Sequence, residues 1–139
     1  MEMNTFQAYN RKEIVPGILH FGVGNFHRAH QAYYTNLLLA DSDQKDWGIC
    51  GAMILEKDEE MYTNLKKQDG CCGLTVCGRL GDYEYHRIGS LVELLWGIEN
   101  PDAIIDKIAD PRIKIISLTI TEGGYNLDKK TREFDFSNE

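Results

Sequence analysis

Gly22-Val23-Gly24 stands where an apolar run, ILHF, gives way to a helical pattern. At such a place a chain turns tightly and can present backbone N–H groups to a diphosphate. The third glycine of a G-x-G-x-x-G fingerprint is missing, and His27 holds its position. On these residues alone, a plain strand-to-helix turn reads equally well. The residues that follow shift the weight: Asn25, able to cap a helix, then Phe26, His27, Arg28 and His30, with no acid among them. A helix N-terminus favours negative charge, and a cation there costs about 0.3 to 1 kcal/mol. A diphosphate held by the amides of Gly24 to Phe26 and by the Arg28 guanidinium would offset that cost. The alternative is an Arg28 turned to solvent or paired with a distant acid. His27 and His30 share a helix face, but with no third ligand they are expected to hydrogen-bond within the fold rather than hold a metal.

Two further stretches could complete a dinucleotide site. An acid that receives the adenosine ribose hydroxyls usually stands at the end of the second strand, ~20 residues past the glycines. Asp43 has that spacing but precedes the second strand, whereas Glu56 and Asp58 follow it directly and are the expected pair. Acids there also suit the start of the next helix. Only Lys57 lies beside them to receive a 2′-phosphate, which favours NAD over NADP. Thr121-Glu122-Gly123-Gly124-Tyr125, after the last strand, lies on the edge where open α/β sheets bind ligands, and its glycines would let the chain pass close to a nicotinamide ring. An ordinary loop is the alternative.

The elements that must position these residues alternate in type. After the first strand, Ala29, Ala32, Tyr33, Leu37 and Ala40 mark one face of a helix. Trp47 to Leu55 reads as a strand covered on both faces, and a second helix runs from about Asp58 to Gln68. Leu74 to Cys77 and Tyr83 to Ile88, joined by a glycine-bearing turn, form an antiparallel hairpin. Leu91 to Ile98 fits either a short helix or a strand. Asn100-Pro101-Asp102 opens a helix whose buried stripe is Ala103, Ile104, Ile105 and Ile108, with Pro111 beyond its end. Arg112 to Thr121 is rich in β-branched residues and reads as a buried parallel strand. The charged tail after Leu127 shows no packing pattern of its own. These elements make an α/β, mostly parallel sheet with an inserted antiparallel hairpin. They supply roughly the first half of a doubly wound dinucleotide fold, and so residues 1–139 read as a truncated domain.

Composition excludes other classes. The 139 residues are 42% hydrophobic and 27% charged, with net charge −7 and no run of Lys or Arg longer than two. Nucleic acid and acidic membrane are therefore not expected partners, and a small molecule is. No apolar stretch approaches the ~20 residues of a membrane span. With no secretory signal pattern at the N-terminus, a cytoplasmic location is expected. Cys50, Cys71, Cys72 and Cys77 match neither a disulfide scaffold nor common zinc spacings. Reduced thiols are expected.

GVGNFHRAHQAYYTNLL together with LTITEGGYN resembles the N-terminal Rossmann-type domain of the polyol-specific long-chain dehydrogenases, the family of mannitol 2-dehydrogenase, fructuronate reductase and tagaturonate reductase. The resemblance runs from about Pro16 to the last residue. It implies NAD(P)-dependent, metal-independent interconversion of a secondary alcohol and a ketone in sugar alcohols or hexuronates. Within it, Gly22, Val23, Gly24, Asn25, Phe26, His27 and Arg28 hold the cofactor, and Glu122 lies close to the active site. The family's glycine loop likewise carries histidine in place of a third glycine. CCGLTV at Cys71 to Val76 departs from the family, where an aromatic is commoner. The family's general base is a lysine followed five residues on by asparagine and three further by histidine, in a separate helical C-terminal domain. No lysine here fits, Tyr62 following Lys57 at that distance and Thr119 following Lys114. The chain is thus expected to bind nucleotide without completing catalysis; the alternative is a non-catalytic fragment that self-associates through an uncovered sheet edge.

Overall fold

A computed structural model describes residues 9–40, 43–120, 122–128 and 130–136. In chain order they form β1 (Pro16–Phe21), α1 (Asn25–Ala29), α2 (Gln31–Leu39), β2 (Gly48–Met53), α3 (Glu59–Lys67), β3 (Cys72–Cys77), β4 (Tyr83–Ile88), β5 (Leu91–Trp96), α4 (Pro101–Ala109) and β6 (Ile115–Leu118). Four strands make one parallel sheet in the order β5-β2-β1-β6, and β3 and β4 make a separate antiparallel pair. This is the first half of a doubly wound sheet with the hairpin set apart from it. The segment from Leu91, open between helix and strand in sequence, is a strand that pairs Gly51 with Leu94.

β2 lies inside the sheet and is buried along its whole length. Alternation divides its side chains between two cores. Ile49 and Met53 join Ile18, Ala32 and Leu65 beneath α2 and α3. Cys50 and Ala52 join Leu19 and Ile104 beneath α4. Helices therefore cover both faces, as an all-parallel sheet requires. Gly17 permits the close approach of β1 to the preceding loop, because a Cβ there would run into the backbone carbonyl of Asp46.

Several expectations about burial change. The first helix is broken at His30 (φ −120°, ψ −84°), which resets the helical phase. The buried positions of α2 are Ala32, Thr35 and Leu39, while Leu37 and Ala40 are exposed. α4 starts as read, Asn100 Oδ1 accepting from the Ala103 amide at 3.1 Å, but of its apolar stripe only Ile104 is buried and Ile105 is 62% exposed. β6 pairs with β1 in the expected parallel sense. It is not buried, however: Ile115 is 44% and Leu118 59% exposed. As the outer strand it has a neighbour on one side only, and of its four residues only Ser117, bonded to Gln31 of α2, is half-buried. The charged tail does have structure. Asp128 Oδ1 accepts from the amides of Lys130 and Thr131, and Leu127 bridges Phe134 in an antiparallel turn.

Gly17 and Gly24 should respond oppositely to alanine. Gly17→Ala is expected to lose about 1–3 kcal/mol through overpacking against backbone. Gly24→Ala, with nothing within 4 Å of its Cβ and φ at −78°, should stay within ~0.5 kcal/mol of the parent. Urea denaturation midpoints check both.

Candidate functional site at the carboxyl edge of the sheet

β1 ends at Phe21 and the chain turns at Gly22, whose φ of +85° suits glycine. The Gly22 amide donates to the Ala52 carbonyl at 2.9 Å, which hangs the turn on β2, and the Gly24 amide donates back to the Gly22 carbonyl at 2.9 Å. Gly24 is the N-cap and has no side chain to cap with. Asn25, expected to cap, is instead the first helical residue, and its Oδ1 accepts from Arg28 Nη2 at 2.5 Å. The amides of Val23, Asn25, Phe26 and His27 find no acceptor among the described residues. A Cβ at Gly22 or Gly24 would project into open space. The approach is open at Gly22 and Gly24 and the residues Asn25 and Phe26 are exposed, whereas Val23 and His27 are each only 2% exposed. α1 is only 5 residues long, so what it can offer an anion is free donors more than a macrodipole.

Arg28 closes the turn from the side. It donates to the Val23 carbonyl at 3.2 Å and contacts the Met61 sulfur at 3.0 Å. It neither hangs in solvent nor pairs with an acid among the described residues. With Lys57, Glu60, Met61, Asn64, Gln68 and Cys72 it lines a cleft of about 430 Å³ between α1, α3 and β3. Sequence distance hid this neighbourhood: Lys57, which read as the lone cation beside the acids, shares the cleft with an arginine from another helix. Glu56 and Asp58 form a 3₁₀ turn directly after β2. They stand at the carboxyl edge beside the glycine turn, as β2 neighbours β1. Glu122 and Gly123 lie in a second 3₁₀ turn following β6 on the same edge. Thr121 lies outside the described residues.

The structure corrects the reading of the histidines. His30 does hydrogen-bond within the fold, Nδ1 meeting the Phe26 carbonyl at 2.8 Å. His27 does not: it is only 2% exposed, and among the described residues neither ring nitrogen has a partner of hydrogen-bond geometry. Its ring lies flat on that of His20, centroids 3.8 Å apart and 15° from parallel. Burial first, then the neighbouring His20, pushes its pKa down to about 3, and burial lowers His20 as well. Both rings are neutral at physiological pH. His20 joins Ser117 Oγ, the Gly22 carbonyl and Thr119 Oγ1. Sequence reasoning passed over His20, Gln31, Ser117 and Thr119. The available signal was a single histidine inside the apolar run ILHF.

Other features bear on chemistry by default. Burial pushes the Cys50 thiol up to about 12 and raises Cys72, so neither is a thiolate nucleophile at neutral pH. Among the described residues no group of three or more His, Cys, Asp or Glu is placed to hold a metal, and no helix is long and apolar enough to cross a membrane.

An open parallel sheet whose first strand ends in a glycine turn with free amides defines a Rossmann-type α/β domain. The chain belongs to the mannitol dehydrogenase family: residues 16–135 match the mannitol dehydrogenase Rossmann domain. It is 42% identical over 124 residues to a mannitol 2-dehydrogenase of Cereibacter sphaeroides, covering 89% of this chain and 26% of that one. It is 39% identical over 132 residues to a polyol:NADP oxidoreductase of Gluconobacter oxydans, covering 94% and 27%. The solved Pseudomonas fluorescens mannitol 2-dehydrogenase, a ternary complex with NAD and D-mannitol, matches with a TM-score of 0.81 and 44% identity, over 92% of this chain and 26% of that one. The chain spans about a quarter of the length of these relatives.

The histidine stack sets a pH dependence. His27 binds its proton near pH 3 when folded and near ~6.5 when unfolded. The unfolded chain therefore holds more protons between those values, and stability, complete above pH 6.5, drains as pH falls toward 3 at up to about 1.4 kcal/mol per unit. Between about pH 6.5 and 4.5, above the ordinary carboxylate range, urea unfolding of the parent should lose roughly 1–3 kcal/mol. His27→Phe should flatten that slope; an unchanged slope would refute the assignment.

Proposed function

We propose that this chain is the nicotinamide dinucleotide-binding portion of a polyol dehydrogenase that interconverts a sugar alcohol, or a hexonate, and its keto sugar. The observation that carries the reading is the glycine turn: among the described residues, the amides of exposed Asn25 and Phe26 have no acceptor, the approach over Gly22 and Gly24 is open, and the arginine beside it has no carboxylate partner. The residues fit a diphosphate by number of donors and by charge. In this reading Gly22 to Arg28 hold the diphosphate, Glu56 and Asp58 take the adenosine ribose hydroxyls, and Thr121, Glu122 and Gly123 flank the nicotinamide end. The nicotinamide supplies hydride transfer when bound. This chain's own residues bind and orient. No lysine here has asparagine five residues on, so the base that moves the hydroxyl proton is assigned to residues outside the 139; general-base catalysis is typically worth about 10²- to 10⁴-fold.

NAD is the proposed cofactor because two acids directly follow β2. Arg28 and Lys57 in one cleft give NADP its argument, so both cofactors belong in the test. Four unpaired thiols suit a reducing compartment, and the cytoplasm is the proposed location. The exposed apolar surface of β6 favours a second reading, in which copies of the chain pair along that edge.

Calorimetric titration with NADH should show weak binding in the ~0.1–1 mM range, tighter than NADPH. Arg28→Ala or Gly24→Val should weaken it tenfold or more, about 1.4 kcal/mol. No heat at millimolar NADH or NADPH overturns the reading. Light scattering after size exclusion separates the second one: a dimer that Leu118→Lys converts to monomer supports edge pairing, and a concentration-independent monomer sinks it.

A further inference from the structure

We infer that His20 is a positioning residue, coupling the glycine turn after β1 to the segment that leads from β6 into the Glu122–Tyr125 turn. Its Nε2 lies 3.2 Å from the Gly22 carbonyl and 3.3 Å from Thr119 Oγ1, and its Nδ1 lies 2.9 Å from Ser117 Oγ. A carbonyl only accepts, so Nε2 carries the proton and is shared between Gly22 O and Thr119 Oγ1. Nδ1 then accepts from the Ser117 hydroxyl, and that oxygen accepts from Gln31 Nε2 at 3.2 Å. The result is one directed chain from α2 through β6 and β1 to the glycine turn.

This chain fixes an orientation. In a trans peptide the carbonyl and the N–H point opposite ways, so drawing the Gly22 carbonyl onto His20 turns the Val23 N–H away from that ring, where it has no acceptor among the described residues. His27 contributes by geometry alone: stacked 3.8 Å away and nearly parallel, it prevents the His20 ring from turning off its partners. The close contact a third glycine gives other turns by having no side chain is here a contact between two flat rings. Because Thr119 stands two residues before Thr121, the same ring spaces the two turns proposed to hold the two ends of the cofactor. That last role rests on the proposed function; the coupling itself does not.

Three measurements test it on the whole chain. ¹⁵N spectra of the imidazoles at pH 7 should show His20 as the neutral Nε2–H tautomer; the Nδ1–H form would overturn the hydrogen-bond assignment. On the cofactor-free chain, amide order parameters at Gly24 and Thr119 should lie near ~0.85 in the parent and fall below ~0.6 at both sites in His20→Phe, which keeps a ring to stack. His20→Gln, which retains a donor toward Gly22, should recover much of the loss, and Thr119→Val should loosen only the second site. Order parameters unchanged in His20→Phe, or lowered uniformly along the chain, would mean a packing role only. NADH titration then reads the consequence, at least tenfold weaker binding in His20→Phe and partial recovery in His20→Gln. If the parent binds no cofactor while the order parameters behave as stated, the coupling stands and the proposed function falls.

Discussion

What the glycine turn offers to a ligand depends on how one residue is held. Gly22 gives its amide to the Ala52 carbonyl of β2 and its carbonyl to the Gly24 amide and the His20 ring. Both polar groups are thus satisfied inside the protein. A positive φ makes this geometry cheap for glycine and costly for other residues. Arg28 then secures the outward side by gripping the Val23 carbonyl and Asn25 Oδ1. The turn is held before any ligand arrives, which lowers the ordering cost of binding.

The sheet beneath holds that residue still. β2, buried throughout, supplies the Ala52 carbonyl from between two cores, and α4 is clamped to β5 where Lys107 meets Glu93 at 2.8 Å. Burial alone would lower the Lys107 pKa, but its neighbours, Glu93 foremost and Asp110 with it, together outweigh burial and the net shift is upward, so the ammonium stays charged. The β6 side is less restrained. Lys114 at its entry pairs with Asp46 and lies over the Trp47 ring, while the apolar side chains beyond remain open to solvent. Burial therefore decreases from β2 toward β6. The His20 chain is the polar tie that crosses from the buried part to the exposed one.

Local signals in the sequence carried much of this arrangement. Glycines ending an apolar run placed the turn; Asn100-Pro101 placed the start of α4 because capping chemistry is local; unbroken apolar character marked β2 as doubly covered. What stayed hidden is set by the third dimension. The break at His30 has no proline or glycine to announce it, so helical phase counted through it misplaced Leu37. β6 has the composition of a buried strand, and composition reports what a strand suits rather than what covers it. Arg28 meets Met61 and Lys57 across more than 25 residues of chain, and His27 loses its hydrogen bonds to a stack that no spacing rule encodes.

A half-buried arginine carries charge at the site. With 22 acids against 15 bases, a cation in this chain has many carboxylates to choose from, and Arg11, Lys45, Lys107, Arg112 and Lys114 each pair with one. Among the described residues Arg28 pairs with none, although Glu60 lines the same cleft. Its three bonded partners are a carbonyl, an amide oxygen and a sulfur, all uncharged. An arginine held in place by neutral groups keeps its full positive charge unneutralised, in a partly buried position where the effective dielectric is well below that of water and a second charge is felt more strongly. The free amides of the turn add donors of the same polarity a few residues away in sequence. A carboxylate from Glu60 would satisfy the charge but not the amides; a diphosphate, as in the proposed function, is large enough and charged enough to meet both.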